Sequence, residues 1–344
     1  MDSAERLLDI ATTVSSLTDD KISRIHGITR RSRMLALNAA IEAHRFGSIG
    51  KGFAVVADEV KSISSEISEL ATSLQGELRG QLETMTSCAG DLNSEVDSLR
   101  GERMIDLAFN AIELVDRNLY ERSCDVRWWA TDSAVVEAVV AGADDAARRH
   151  AAQRLGVILD SYTVYLDLWI ADASGKVIAS GRPGRFAKAV GTNVANESWF
   201  KDAMSTRDGN SFAVADVSRV PALDNAVSAT YATAIREGGD VNGKVIGVLG
   251  IFFDWETQAR GIVQGVRLSP VERTRSRCLL LDSRHRVIAS SDGGLELGQA
   301  YPLKTNGKEN GYLVDGRLTI GYARTPGYET YKGLGWFGVI EQRN

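Results

Sequence analysis

Between Arg33 and Lys61 the chain places an alanine-rich stretch, three closely spaced glycines and a second apolar-periodic stretch in uninterrupted succession. Ala36, Ala39, Ala40 and Ala43 are strong helix formers with almost no side-chain bulk, so helices built on them can approach closely. Gly47, Gly50 and Gly52 tolerate the positive φ that a chain reversal needs. Beyond them Phe53, Val55, Val56 and Val60 resume an apolar face at helical spacing. The segment is predicted to be an antiparallel helical hairpin with its tip near Ser48.

Both arms are amphipathic. Val56, Val60, Ile63, Ile67, Leu70 and Leu74 alternate steps of four and three; after one extra four-residue step the seam continues through Leu78, Leu82, Met85, Ala89, Leu92, Val96 and Leu99, a coiled-coil pattern with a stutter. The opposite arm carries Leu7, Ile10, Val14 and Leu17, then after a phase slip Ile22, Ile25, Ile28 and Leu35. A lone hairpin would leave much of each seam in water, so a homodimeric four-helix coiled coil is expected.

The words LALNAAIEA and GFAVVADEV on either side of the glycine turn resemble the kinase-control tip of methyl-accepting chemotaxis receptors. The resemblance implies that Leu37, Asn38, Glu42 and Arg45, with Phe53 and Val55 on the facing helix, contact the histidine kinase CheA and its coupling protein CheW. Two features depart from the family pattern: Arg30 and Arg33 stand where an aromatic or aliphatic residue and an asparagine are usual, and residues 1–100 hold no adjacent Glu/Gln pair of the kind that is methylated.

From Glu102 to about Gly156 the pattern stays helical, with Met104, Ile105, Ala108, Ile112, Val115 and Leu119 on one face. Val126–Val139 can continue that helix, with Trp128 and Trp129 as core anchors, and Gly142–Asp145 reads as a helix end followed by a new cap. The period then becomes that of strands. Leu168–Ser180 repeats as Cys278–Ser290 at a constant offset of 110 residues, set by Asp172 and Asp282 and by the word Val-Ile-Ala-Ser in both: one strand-turn-strand unit occurs twice. Further β-rich segments follow each copy, Ser228–Ile235 and Lys244–Phe253, then Tyr312–Tyr322 and Gly335–Glu341.

A long helix followed by two such units resembles the double Cache sensor, a pair of PAS-like antiparallel sheets. The expected fold class is α+β, divided into a signalling hairpin (1–100), a long connecting helix (101–156), and a first (157–266) and second (267–344) PAS-like module. The resemblance implies a small ligand in the first module under a lid word, Asn196-Glu-Ser-Trp-Phe-Lys-Asp-Ala203, whose Trp199 and Phe200 close over the pocket. Asp216, Tyr231 and Asp254 are further pocket candidates, Asp254 equally a cap for the helix that follows. Amino-acid-binding members carry an arginine, which would pair with a ligand carboxylate, at the position of Glu197; the reversed charge favours a cationic or neutral ligand.

A net charge of −5 argues against a nucleic-acid partner. No apolar run reaches the roughly 18–20 residues of a membrane span and the N-terminus lacks the plan of a secretory signal, so a soluble, cytoplasmic protein is expected. Cys88, Cys124 and Cys278 have neither metal spacing nor a disulfide framework, and His26, His44, His150 and His285 are mutually remote. Lys51 is followed by Gly52 rather than by the hydroxyl of a phosphate loop, and no catalytic word is found. The reading is a non-enzymatic, cofactor-free chemoreceptor-like transducer; a small-molecule-binding protein with a dimerising stalk, unconnected to chemotaxis, is the alternative.

Overall fold

The computed structural model describes residues 3–140 and 143–343. The chain forms two compact units, Met1–Leu99 and Arg100–Asn344.

In the first unit α1 (Ser3–Arg45) leads through a 3₁₀ turn (Gly47–Gly50) into α2 (Lys51–Trp129). The arms are clasped by Gln75 Nε2 donating to Asp19 Oδ1 at 2.7 Å and by His26 Nδ1 with Ser68 Oγ at 3.1 Å, two pairs symmetric about residue 47. Gly47 takes φ +60°, and a Cβ on Gly50 would stand 2.0 Å from the Ala43 carbonyl oxygen, so both are required. Gly52, expected in the turn, instead lies in the first turn of α2 with nothing within 4 Å of its would-be Cβ.

Among the described residues the hairpin's internal seam consists mostly of small side chains: Ala11, Ala36, Ala43, Ala57, Ala71 and Ala89 are buried, with Ile22 the one large apolar member. The heptad residues between Val56 and Leu74 point elsewhere. Val56 is 60% exposed, Leu70 69% and Leu74 48%. Alanine lets the two arms meet at close range, so the larger apolar side chains are left on the outside of a single hairpin.

In the second unit α2 ends at Trp129, and Asp132 caps α3 (Ser133–Val139) by accepting from Ala134 N at 3.0 Å. The continuous helix expected through Val139 is therefore broken at 130–132. The Trp pair splits as well: Trp129 is buried, Trp128 is 70% exposed. Gly142 lies outside the described residues; the new cap is Asp144, which accepts from Ala146 N and Ala147 N and starts α4 (Asp145–Ser161).

Two five-stranded antiparallel sheets follow. The first contains β1 (Tyr165–Asp172), β2 (Val177–Ser180), β3 (Ala213–Val220), β4 (Ala226–Arg236) and β5 (Val245–Asp254), in the order β2-β1-β5-β4-β3. The second contains β6 (Ser276–Leu281), β7 (Val287–Ser290), β8 (Asn310–Asp315), β9 (Leu318–Arg324) and β10 (Phe337–Arg343), in the matching order β7-β6-β10-β9-β8. Between them lie α6 (Trp255–Gly265) and α7 (Pro270–Arg275), while α5 (Ser198–Met204) lies between β2 and β3 in the chain.

The repeat extends to single hydrogen bonds. Trp169 pairs with Ser180 as Leu279 pairs with Ser290. Asp172 Oδ1 accepts from the amides of Ser174 and Lys176 as Asp282 Oδ1 accepts from those of Arg284 and Arg286. The left-handed position of this turn is Gly175 in one copy and His285 in the other.

Strand alternation divides each sheet between two cores. Leu168, Ile170 and Phe253 of the first sheet, with Leu280 and Ile340 of the second, face the core built on Met104–Val126 of α2. Trp169, Ala171 and Phe252 face the other way, toward Trp199 and Phe200 of α5. In the second module the corresponding outer face is filled by Tyr301, Leu303, Tyr322 and Phe337.

Candidate functional site

On the outer face of the first sheet, beneath α5, lies a cavity of about 720 Å³. Its floor is aromatic. Trp169 and Phe252 meet with ring centroids 4.2 Å apart at 52°, and Trp199 stands at 87° to Phe252 across 5.8 Å. All three rings are buried. Thr230 and Val194 complete the floor, and Lys188, Glu197, Asp216 and Arg219, all exposed, form the rim.

Local sequence explains the arrangement. Neighbouring strands carry Trp169 and Phe252 on the same face because Trp169 pairs with Gly250 and Asp167 with Phe252. Gly250 leaves room for the lid: a Cβ there would come to 3.0 Å from the Trp199 ring. The lid helix begins just after Glu197, whose side chain makes no capping bond to the helix.

A residue not singled out from the sequence fixes the floor. Asp167 is fully buried, and its carboxylate accepts from Trp169 Nε1 (2.8 Å), Ser180 Oγ (2.6 Å), Leu168 N (2.8 Å) and Arg182 N (3.0 Å). Burial pushes its pKa up, against the pull of these donors. The visible signal was an acid inside the otherwise apolar run Tyr165-Leu-Asp-Leu-Trp-Ile, where a charge persists only when fully hydrogen-bonded.

Of the six pocket candidates, Trp199, Glu197 and Asp216 line the cavity. Asp216 Oδ2 also lies 3.6 Å from Arg286 of the second module. Phe200 is buried beside Trp199 but does not line it, because successive helical residues point about 100° apart. Tyr231 is on the opposite face of the sheet, where its hydroxyl meets that of Tyr331 at 2.8 Å and its ring stacks on Phe212; strand alternation puts it there. Asp254 is a cap, accepting from Thr257 N at 3.3 Å to start α6, and it too is absent from the lining.

The core built on α2 contains its own polar junction. Asp116 of α2 is buried, accepts from Gly327 N at 2.7 Å through Oδ2, and leaves Oδ1 without a hydrogen-bond partner; burial raises its pKa to about 6. Further along the helix Arg122 pairs with Asp125 at 3.3 Å beneath the rings of Tyr165 and Phe253, and Asp125 accepts from the Tyr165 hydroxyl.

At the hairpin tip Leu37, Asn38, Glu42, Arg45, Phe53 and Val55 are all exposed, and Glu42 binds Arg45 at 2.9 Å. Next to them Leu35, Ala39, Phe46, Ile49, Phe53 and Val56 line an apolar hollow of about 610 Å³. Among the described residues no group of three or more His, Cys, Asp or Glu is placed to hold a metal ion, and no helix is long and apolar enough to cross a membrane.

Comparison with known proteins assigns each part. The second unit has the fold of sensory domains. The sensory domain of the Campylobacter jejuni chemoreceptor Tlp3 superposes with a TM-score of 0.55 at 15% identity, covering 73% of this chain and 96% of that domain. The ligand-binding domain of the Pseudomonas aeruginosa amino acid chemoreceptor PctC, solved with GABA, gives 0.52 at 16% identity over 70% of this chain and 99% of that domain. The fold is thus that of a double Cache sensor, two PAS-like sheets beside a long helix.

Residues 2–120 match the methyl-accepting chemotaxis protein (MCP) signalling domain. Methyl-accepting chemotaxis protein McpA of Pseudomonas putida is 38% identical over 104 residues, 27% of this chain and 16% of that protein. CtpL of Pseudomonas aeruginosa is 41% identical over 92 residues, 25% of this chain and 13% of that protein. The matches thus span less than a fifth of the length of these curated relatives. The chain joins an MCP signalling domain to a double Cache fold that follows it in sequence.

Proposed function

We propose that the protein is a chemoreceptor-like transducer: a small molecule occupies the cavity under α5 and, through α2, alters the tip that contacts CheA and CheW. The observation that carries this reading is that α2 belongs to both functions. It begins at the tip with Lys51 and supplies Met104–Val126 to the core shared by the two sheets. A ligand that favours one packing of that core favours one state of the helix, which is what coupling between two sites requires.

The working form is a homodimer. Exposed heptad residues such as Val56, Leu70 and Leu74 would be covered by the same residues of a second copy in a four-helix bundle. A stalk serving only dimerisation would cover them equally well, so the test turns on the kinase. Purified chain is mixed with CheA and CheW, and kinase activity is read with and without a metabolite selected by thermal shift. Ligand-dependent change in phosphorylation, lost in Glu42→Ala, is the expected result. Ligand binding with an indifferent kinase would leave only the stalk reading.

A further inference from the structure

We propose that Asp116 and the segment 325–336 form a proton-operated clasp on α2, closed while the Asp116 carboxyl is protonated and released when it ionises. No ligand in the cavity under α5 is needed for it.

The segment joins β9 to β10 and lies over α2 as a strap. Gly327 N donates to Asp116 Oδ2 at 2.7 Å, Tyr328 meets Tyr120 of the same helix edge to face at 5.4 Å with the Arg117 guanidinium over its ring, and the Tyr331 hydroxyl reaches that of Tyr231 on β4 at 2.8 Å. One strap thus ties α2 to both sheets. Within it Tyr328 and Tyr331 exchange two backbone bonds of 2.8 Å; Gly327, Glu329, Gly333 and Gly335 take positive φ, and Pro326, Glu329, Thr330 and Lys332 are exposed. A surface segment outside helix and strand is the kind that opens locally at low cost.

Beneath the strap Asp116 is fully buried with one oxygen unanswered. Asp116 Oδ1 and Thr325 Oγ1 are both buried without a hydrogen-bond partner, and both flank the bare α-carbon of Gly333, where a Cβ would stand 3.2 Å from the first and 2.9 Å from the second. Among the described residues no cation pairs with this carboxyl. Arg117 is bound to Glu113 at 2.9 Å and Arg122 to Asp125 at 3.3 Å, while the ionisable neighbours Glu113 on α2, Tyr331 on the strap and Tyr231 on β4 are all acids. Burial, opposed by the Gly327 amide and helped by Glu113, raises the pKa of Asp116 to about 6.

A proton cancels the charge and makes one carboxyl oxygen a donor, which suits a dry site that also holds an unused hydroxyl. Its loss leaves an anion with an unanswered oxygen under the strap. Of the two parts that meet there, α2 is held along Met104–Val126 by both sheets, so the strap is the one that yields. Lifting it admits water to Asp116 and parts Tyr331 from Tyr231. The closed form is therefore favoured at acid pH and the open one as pH rises through the carboxyl's folded value.

The test follows hydrogen exchange in the full chain at pH 5 and pH 7.5, with rates corrected for the intrinsic effect of pH on amides. Protection of peptides covering 325–336 is expected to fall about tenfold or more at the higher pH, which lies about 1.5 pH units above the carboxyl's folded value. Asp116→Asn and Asp116→Ala remove the titrating group with and without an amide in its place. A step confined to this segment in the wild type, and absent from whichever variant folds, is the expected result. Unchanged wild-type protection would overturn the proposal, as would a step that survives in a folded variant. So would a loss of equal size in β4 and β10, which would mark general unfolding rather than a clasp.

Discussion

The two sheet modules start from the same strand-turn-strand unit and end as different objects. The first keeps a cavity on its outer face because α5 and Gly250 hold Trp199 above the sheet. The second has no helix between β7 and β8 and packs Tyr301, Leu303, Tyr322 and Phe337 over that face. On the inner face the contrast reverses. A Cβ on Gly338 or Gly321 of the second module would stand 2.3 Å from Ala108 O or 2.4 Å from Met104 Cβ, so its sheet lies against the backbone of α2. One module keeps an open cavity on its outer face and the other lies close against a helix on its inner face. Their common hydrogen-bond pattern does not decide between the two roles; the residues on each face do.

Changes at the junction test this contrast with the largest effect. Trp336 is fully buried and meets Trp255 edge to face at 5.1 Å, while Trp255 Nε1 donates to Ile288 O. Trp336→Ala is expected to cost about 3–5 kcal/mol, measured as a drop in the denaturant midpoint; a loss below about 1 kcal/mol would mean that the modules do not depend on this contact.

Asp116 offers a pH test of the same junction. Its folded pKa is raised from 3.8 to about 6, so the folded state binds this proton more tightly than the unfolded chain does. The associated stability is full below the unfolded value and is lost as pH rises through the folded one. Asp116→Asn should therefore gain on the wild type between about pH 4 and 6, levelling off at up to about 3 kcal/mol above that range. Denaturation curves at pH 4 and 7.5 that differ by the same amount in both proteins would refute the burial of a charge there.

Gly338→Ala is expected to destabilise by about 1–3 kcal/mol through overpacking against α2. The same change at Gly184 of the first module, where nothing lies within 4 Å, should stay within about 0.5 kcal/mol. Comparable losses at both glycines would mean that close approach to the helix is not what sets Gly338 apart. Smallest of all is the difference between the two turns: Asp172→Ala and Asp282→Ala each remove a carboxylate accepting two backbone amides. About 1 kcal/mol each is expected, with Asp282→Ala the costlier because it also frees a charged partner, Arg286 at 2.6 Å, where Asp172→Ala frees only the Ser174 hydroxyl.

Several features were legible before any coordinates. The hairpin follows from alanine, glycine and heptad spacing, and the duplicated turn from a fixed offset between two aspartates, because both are local patterns that the backbone answers directly. Elsewhere the local pattern misled. Val126–Val139 keeps an unbroken helical period, yet Asp132 turns it into a cap. Tyr231 sits in an alternating strand whose pocket face cannot be told from its core face without knowing what covers each. Asp167 is a lone acid in an apolar strand, and only the donors converging from residues 168, 169, 180 and 182 show it to be the anchor of the floor.

By itself the sequence determined the kinds of element, a reversal near Ser48 and the presence of two copies of one unit, since helix period, strand alternation and glycine conformation are settled within a few residues. Tertiary structure alone decided that alanines close the hairpin while the heptad residues between Val56 and Leu74 face outward, that Trp169, Trp199 and Phe252 meet beside one cavity, and that its counterpart in the second module is filled. Those outcomes depend on which faces are buried against which, a competition among residues far apart in the chain that no local spacing records.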